Sequence, residues 1–323
     1  MAKKCIIGVI LLVIVGFNLI IIGPIPLLSI KLSSYGSIEK FLPYSYEPDS
    51  PSSIELLNLN IDVGNITINY IDPPVDYHVK IDVYIIMSGS HLAGKLYSDY
   101  FNIIWQNIGS LSNFTLKLIS DDWFKPSIWF EKNISVVVSI RKDITFDIVA
   151  TVNEGDVEVT VPYHVLIGNL KTILSKGNLF YNFEQCAIEG NITGITNEGD
   201  LELKSYNVEY TQNSNWMFIS NETYVEIYQS IEMGANITGT AIISTGIIDL
   251  FYHDNTADIG AVFPFPISSW HIPSTQPGFE YTILDEGFFY ISNDFPTKNN
   301  YNISFYHLGG PGPLNHIIKI RSD

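Results

Sequence analysis

The sequence predicts an all-β protein, a stacked, solenoid-like sheet standing behind one N-terminal transmembrane helix. Three observations carry that expectation. Glycine followed by Asp or Asn opens short strands at a fixed interval, apolar residues alternate in steps of two, and the chain starts with a long uncharged apolar run. The alternative fold on the same turns is a β-sandwich, whose hairpins also use glycine with Asp or Asn.

Residues 1–31 form the first segment. Lys3 and Lys4 precede an uncharged stretch from Cys5 to Ile30 that is long enough for a helix to cross a hydrocarbon core. Pro24 and Pro26 mark where such a helix would stop. The two lysines place the short N-terminus in the cytoplasm and the remainder outside the cell, as a single-pass protein. A cleaved signal peptide is the rival reading, but its apolar region would be shorter and would end at a small-residue site. Residues 32–55 are rich in serine and proline and read as a stalk.

Residues 56–262 are the expected β-repeat ectodomain. Ile144, Phe146, Ile148, Ala150 and Val152 lie two apart, as do Val157, Val159 and Val161, which is the period of a strand with one packed face. Between these runs stands Gly155-Asp156. Gly177-Asn178 and Gly199-Asp200 follow at intervals of 22 residues, Gly64-Asn65 precedes them, and Gly190-Asn191 and Gly234 fall between or after the main steps. Glycine supplies the positive φ of a corner, and Asp or Asn caps it with its side chain. A unit of this kind cannot bury its own faces alone, so copies stack. After Gly199 the spacing becomes irregular. The stretch from His91 to Trp105 breaks the pattern and reads as a short helix or a long loop, and His78 reads as an outward residue on a strand. Residues 263–323 form a C-terminal β section, introduced by a proline-rich aromatic loop that either caps the stack or binds through Phe263, Phe265, Trp270 and His271.

Composition narrows the chemistry. The whole chain carries 17 basic and 34 acidic residues and a formal net charge of −17. A field of that sign argues against nucleic acid as a partner. Of the two cysteines, Cys5 lies in the apolar run and Cys186 stands alone, so no intrachain disulfide framework is expected. No histidine pair has zinc-ligand spacing, and no nucleophile elbow, phosphate cradle or C-x-x-C is present, so neither catalytic nor cofactor-binding residues are assigned. Asp254, Asn255 and Asp258 offer oxygen ligands on one stretch and form a weak calcium candidate, lacking the glycine and distal glutamate of an EF-hand. Sequons at Asn65, Asn113, Asn133, Asn191, Asn221, Asn236 and Asn302 are glycosylation candidates for an exported chain. Glycans without disulfides would suit an archaeal surface.

The pieces N-E-G-D-V-E-V at 153–159, S-K-G-N-L at 175–179, N-E-G-D-L-E-L at 197–203, S-T-G-I-I-D-L at 244–250 and D-V-G-N-I-T-I at 62–68 give the chain a resemblance to the DUF4097-like adhesin family of β-repeat surface proteins. The resemblance implies a stacked β fold and an envelope location, and it brings no catalytic residues. The expected function is a membrane-anchored extracellular binding or scaffolding protein, adhesin-like, meeting another protein, a glycan or its own copy. An accessory subunit of a membrane-bound surface assembly and an extracellular carbohydrate-active enzyme are the alternatives.

Overall fold

The computed structural model describes residues 36–48, 54–229, 237–243, 246–254, 268–273, 280–286, 289–297, 300–307 and 314–322. In chain order the strands begin with β1 (Gly36–Tyr46), β2 (Ile54–Val63), β3 (Asn65–Ile71), β4 (Val79–Gly89), β5 (Phe101–Ile108), β6 (Leu111–Leu118), β7 (Trp129–Arg141) and β8 (Thr145–Glu154). They continue with β9 (Val157–Val161), β10 (Leu166–Lys176), β11 (Leu179–Glu184), β12 (Ala187–Ile188), β13 (Ile192–Glu198), β14 (Leu201–Tyr206), β15 (Glu209–Tyr210) and β16 (Ser214–Ser220). The last are β17 (Thr223–Gln229), β18 (Ile237–Ile243), β19 (Gly246–Asp254), β20 (Ser268–Pro273), β21 (Glu280–Glu286), β22 (Phe289–Thr297), β23 (Asn300–His307) and β24 (Leu314–Ser322).

These strands form two sheets, one 11-stranded from β1 to β21 and one 13-stranded from β22 to β5. In the middle of each sheet the neighbours are parallel, because the chain crosses from one sheet to the other at each corner and returns one coil further on. Thus β8, β10, β13 and β16 pair in parallel in one sheet, and β9, β11, β14 and β17 do so in the other. Antiparallel strands close both ends: β1, β4 and β7 beside β5 and β6 at the start, and β19, β24 and β21 beside β20, β23 and β22 at the finish.

Period-2 alternation places one side chain of every two between the sheets. Val157, Val159 and Val161 face inward beside Leu179, Tyr181 and Phe183, opposite Ile148, Ala150 and Val152, and all are buried in one continuous core. Each such aliphatic side chain contributes about 1.5–3 kcal/mol on burial. Large and small residues complement one another across the gap. Gly194 sits where an added Cβ would come within 3.0 Å of the Tyr181 ring, so its coil makes room for that tyrosine.

One seam between the sheets is a file of glycines. Gly64, Gly155, Gly177 and Gly199 all have positive φ, and a Cβ on Gly177 would stand 2.0 Å from the Gly155 carbonyl oxygen. The backbones therefore stack in contact, with Gly64, Gly155 and Gly177 N–H donating to Glu154, Lys176 and Glu198 carbonyls. The residue after each glycine extends the stack: Asn65 Oδ1 accepts from Asp156 N–H, Asp156 Oδ1 from Asn178 N–H, and Asn178 Oδ1 from Asp200 N–H.

The expected fold class and topology are corrected. Among the described residues no helix is long and apolar enough to cross a membrane, a statement that does not bear on β-barrels. Among the described residues the helical pieces are 3-10 turns at Tyr97–Asp99, Asp121–Phe124 and Pro126–Ile128, too short to span anything. With the transmembrane helix go the membrane partner through residues 5–30, the single-pass topology with a cytoplasmic N-terminus and an extracellular ectodomain, and the membrane-anchored function built on them. Residues 5–30 themselves lie outside the described residues. The stretch from His91 to Trp105 is no helix beyond the turn at Tyr97–Asp99, since Phe101 onward is strand β5. His78 is also corrected: it is 3% exposed, turned inward onto Glu55 rather than outward.

Candidate functional site

A second corner, set within the 13-stranded sheet, is not uniform. The register of the 13-stranded sheet aligns Phe146, Ile167, Ile188 and Tyr210, and again Ile148, Leu170, Ile192 and Trp216. Between these two buried rows successive coils insert more and more chain. Asp147 stands alone in the first, Gly168 and Asn169 in the second, Glu189 to Asn191 in the third, and Thr211 to Asn215 in the fourth. The seam therefore fans outward along the stack. All of these residues but Thr211 and Ser214, together with Ile54, line a polar groove of about 500 Å3.

The floor of the groove is a ladder of side-chain oxygens. Asp147 Oδ1 accepts from Asn169 N–H at 2.6 Å and from its Nδ2 at 3.2 Å. Asn169 Oδ1 accepts from Asn191 N–H at 3.0 Å, and Asn191 Oδ1 from Asn215 N–H at 2.9 Å. Each side chain thus satisfies a backbone donor that the lengthened corner takes out of the sheet. Gly168 and Gly190 allow the backbones to close up, since a Cβ on Gly190 would lie 2.4 Å from the Gly168 carbonyl. The widest coil is pinned from below: Ser214 Oγ donates to the Gly190 carbonyl at 2.7 Å and accepts from buried Trp216 Nε1 at 2.9 Å. Glu189 and the exposed Gln212 and Asn213 form the walls. The result is an amide-rich surface with two carboxylates, fixed in geometry by the core beneath it.

Two smaller concavities occur among the described residues. One of about 370 Å3 lies beside Asp62, Asp121, Phe124 and Glu154, where Asp62 accepts from Leu118 N–H and Asn153 Nδ2. The other, about 270 Å3, is lined by Phe180, Tyr224 and Glu202, the last of which pairs with Lys204. Neither is produced by a change in the coil itself.

The residues singled out in the sequence distribute differently. Asn191 belongs to the ladder, its Nδ2 donating to Asn169 Oδ1, and Asn65 to the glycine seam, where its Oδ1 accepts from Asp156 N–H. Asn113 accepts from Asn58 Nδ2 at 2.8 Å, Asn133 is exposed on β7, and Asn221 N–H donates to the Gly199 carbonyl. Asn302 lies in β23, while Asn236 is outside the described residues. Asp254 ends β19, but Asn255 and Asp258 lie outside the described residues, as do Phe263 and Phe265. Trp270 and His271 lie in β20 and pair with Ile303 and Asn302. Trp123 and Trp216 are core residues, 5% and 1% exposed. Among the described residues no group of three or more His, Cys, Asp or Glu side chains is placed to hold a metal ion. Asp147, Asn169, Gln212 and Asn213 carry no motif of their own. The signal that would have found them is the lengthening interval between apolar anchors.

No family model matches the chain, and no curated protein does. The chain has weak structural similarity to several solved structures, most of them described as a "putative adhesin". A "putative cell adhesion protein" from Clostridium sporogenes is 14% identical, with 63% of this chain and 100% of that one covered and a TM-score of 0.34. A "putative adhesin" from Bacteroides fragilis is 10% identical over 65% of this chain and 90% of that one, at 0.23. A "putative lipid binding protein" from Parabacteroides distasonis is 12% identical over 64% and 88%, at 0.22.

Proposed function

We propose that this protein is a non-catalytic recognition scaffold that holds an extended polyhydroxylated chain along the amide groove. The observation that carries this reading is the graded insertion at Asp147, Gly168–Asn169, Glu189–Asn191 and Thr211–Asn215. A seam needed only for stacking would stay at constant length, as the glycine seam does. Amides offer both donors and acceptors to hydroxyl groups, and two carboxylates add acceptors while repelling anionic polymers. Successive side chains rise by about 4.8 Å per coil, so the ladder suits a ligand with repeating groups.

The test is calorimetric titration of the full chain with xylo-, cello- and chito-oligosaccharides of increasing length. Binding is expected to tighten with length, and Gln212→Ala and Asn213→Ala to weaken it about tenfold, or roughly 1.4 kcal/mol, at unchanged melting temperature. Absence of heat with every oligosaccharide would overturn the assignment. We further propose that the chain is a far-diverged relative of the DUF4097-like adhesin family, supported by its glycine-Asp and glycine-Asn corners. Close homologues that keep the fold without glycine at 155, 177 and 199 would count against that kinship.

A further inference from the structure

The two strands at the start of the stack treat their open edges in opposite ways. Among the described residues, β1 pairs only with β4, and β5 only with β6. β1 carries Glu39, Lys40 and Pro43, which are the usual means by which a sheet edge repels another strand. β5, F-N-I-I-W-Q-N-I, has no charge and no proline along its whole length. Its outer face presents Ile104, 40% exposed, and Ile108, 70% exposed. Its inner face is unfinished. Ile103 and Trp105 are only partly buried against the core, and Trp105 Nε1 and Asn107 Oδ1 are shut off from solvent without a hydrogen-bond partner.

We propose that β5 is a self-association edge, pairing antiparallel with β5 of a second copy about a two-fold axis. Charge selects this occupant. Two chains of net charge −17 repel each other over most of their surface, and β5 is a strand on which they can meet with no like charges opposite. A two-fold sets the same patch against itself, so the half-buried Ile103 and Trp105 of each copy cover those of the other. The 13-stranded sheet then continues across the axis, while the guarded β1 edge in the other sheet stays solvated.

Light scattering of the full chain across a concentration series tests this. A dimer is expected, with amide exchange at Phe101–Ile108 slowing as concentration rises. Ile104→Lys, on an exposed position, is expected to weaken dimerisation about tenfold by placing like charges across the axis. Phe41→Lys on β1 is expected to leave the dimer intact. A monomer up to about 100 µM, as would follow if residues 1–35 of the same chain covered β5, would overturn the proposal. So would a dimer that Ile104→Lys leaves untouched, or one that Phe41→Lys disrupts equally.

Discussion

Glu55 Oε1 lies 2.8 Å from His78 Nδ1, with the two side chains 1% and 4% exposed. The contact ties β2 in one sheet to the chain that enters β4 in the other. His78 is held on its backbone as well, donating N–H to the Tyr46 carbonyl and accepting from Arg141 N–H. Glu55→Ala would leave the imidazole buried with no replacement for its carboxylate. A loss of about 3 kcal/mol in urea unfolding is expected. Glu55→Gln, which preserves a hydrogen-bonding oxygen at nearly the same volume, should recover part of it. Equal stability of Glu55→Ala and the native chain would remove the contact as a tie between the sheets.

At the glycine seam, Gly177→Ala combines a φ of +135° with a Cβ placed 2.0 Å from the Gly155 carbonyl. Both the coil and its neighbour would have to move. A cost above about 3 kcal/mol is expected, visible as a large fall in melting temperature or as insoluble protein. Gly94→Ala is a control for strain without contact, since its φ is +75° with nothing within 4 Å of the new Cβ, and it should cost about 1 kcal/mol.

The amide ladder makes a charge-sensitive prediction. Asn169→Ala removes the acceptor of Asn191 N–H and is expected to cost about 1–2 kcal/mol. Asn169→Asp keeps an acceptor but sets a second carboxylate beside Asp147, whose oxygens receive the Asn169 amide in the native chain. That variant should be less stable than native at pH 7 and should regain stability as the pH is lowered through the carboxylate range, where protonation relieves the repulsion. A pH-independent difference in thermal unfolding between pH 7 and pH 4 would refute this account.

Alkaline stability should be limited by buried acids. Burial pushes the Cys186 thiol up from 9.0 to about 12. Desolvation also raises Tyr70, Tyr181 and Tyr210 far above their ordinary 10.0. In the unfolded chain these groups lose their protons from about pH 9 and 10, whereas the native chain retains them, so the native state binds more protons and stability falls as pH rises. The loss begins above pH 9 with Cys186 and continues through about pH 12, at about 1.4 kcal/mol per pH unit for each group that has ionised only in the unfolded state. Denaturant midpoints measured from pH 8 to 11 should fall with increasing slope. Cys186→Ala should flatten the first part of that fall, while alkylation of native Cys186 at pH 8 should be far slower than in urea.

How much of this was legible depends on which seam is considered. The glycine corners are visible because a positive φ and a backbone contact both demand the same residue, and the alternation of Val157, Val159 and Val161 marks the buried face directly. The groove is harder to read. Its residues are ordinary Asn, Gln, Glu and Gly, and the two-residue change of spacing between Asn191 and Asn215 reads as a break in the repeat. In the fold that irregularity is the wall of the groove. His78 deceives for a different reason: its partner Glu55 lies 23 positions away on another strand, so nothing local signals that the imidazole turns inward. The apolar run at residues 5–30 dominates any reading by hydropathy and lies outside the described residues.

The contact between glycine backbones at 155, 177 and 199 also constrains how such a chain can change in length. A single residue added or lost within a strand that enters one of these corners would turn its apolar alternation onto the wrong face. Each coil gives this corner the same two residues, Gly155-Asp156, Gly177-Asn178 and Gly199-Asp200, so growth at the corner is by whole coils. The corner within the 13-stranded sheet has no such gauge, so a residue can enter there while both flanking apolar anchors keep their register. Lineages of this architecture should therefore differ in coil number on one side and, independently, in the depth and reach of the groove on the other.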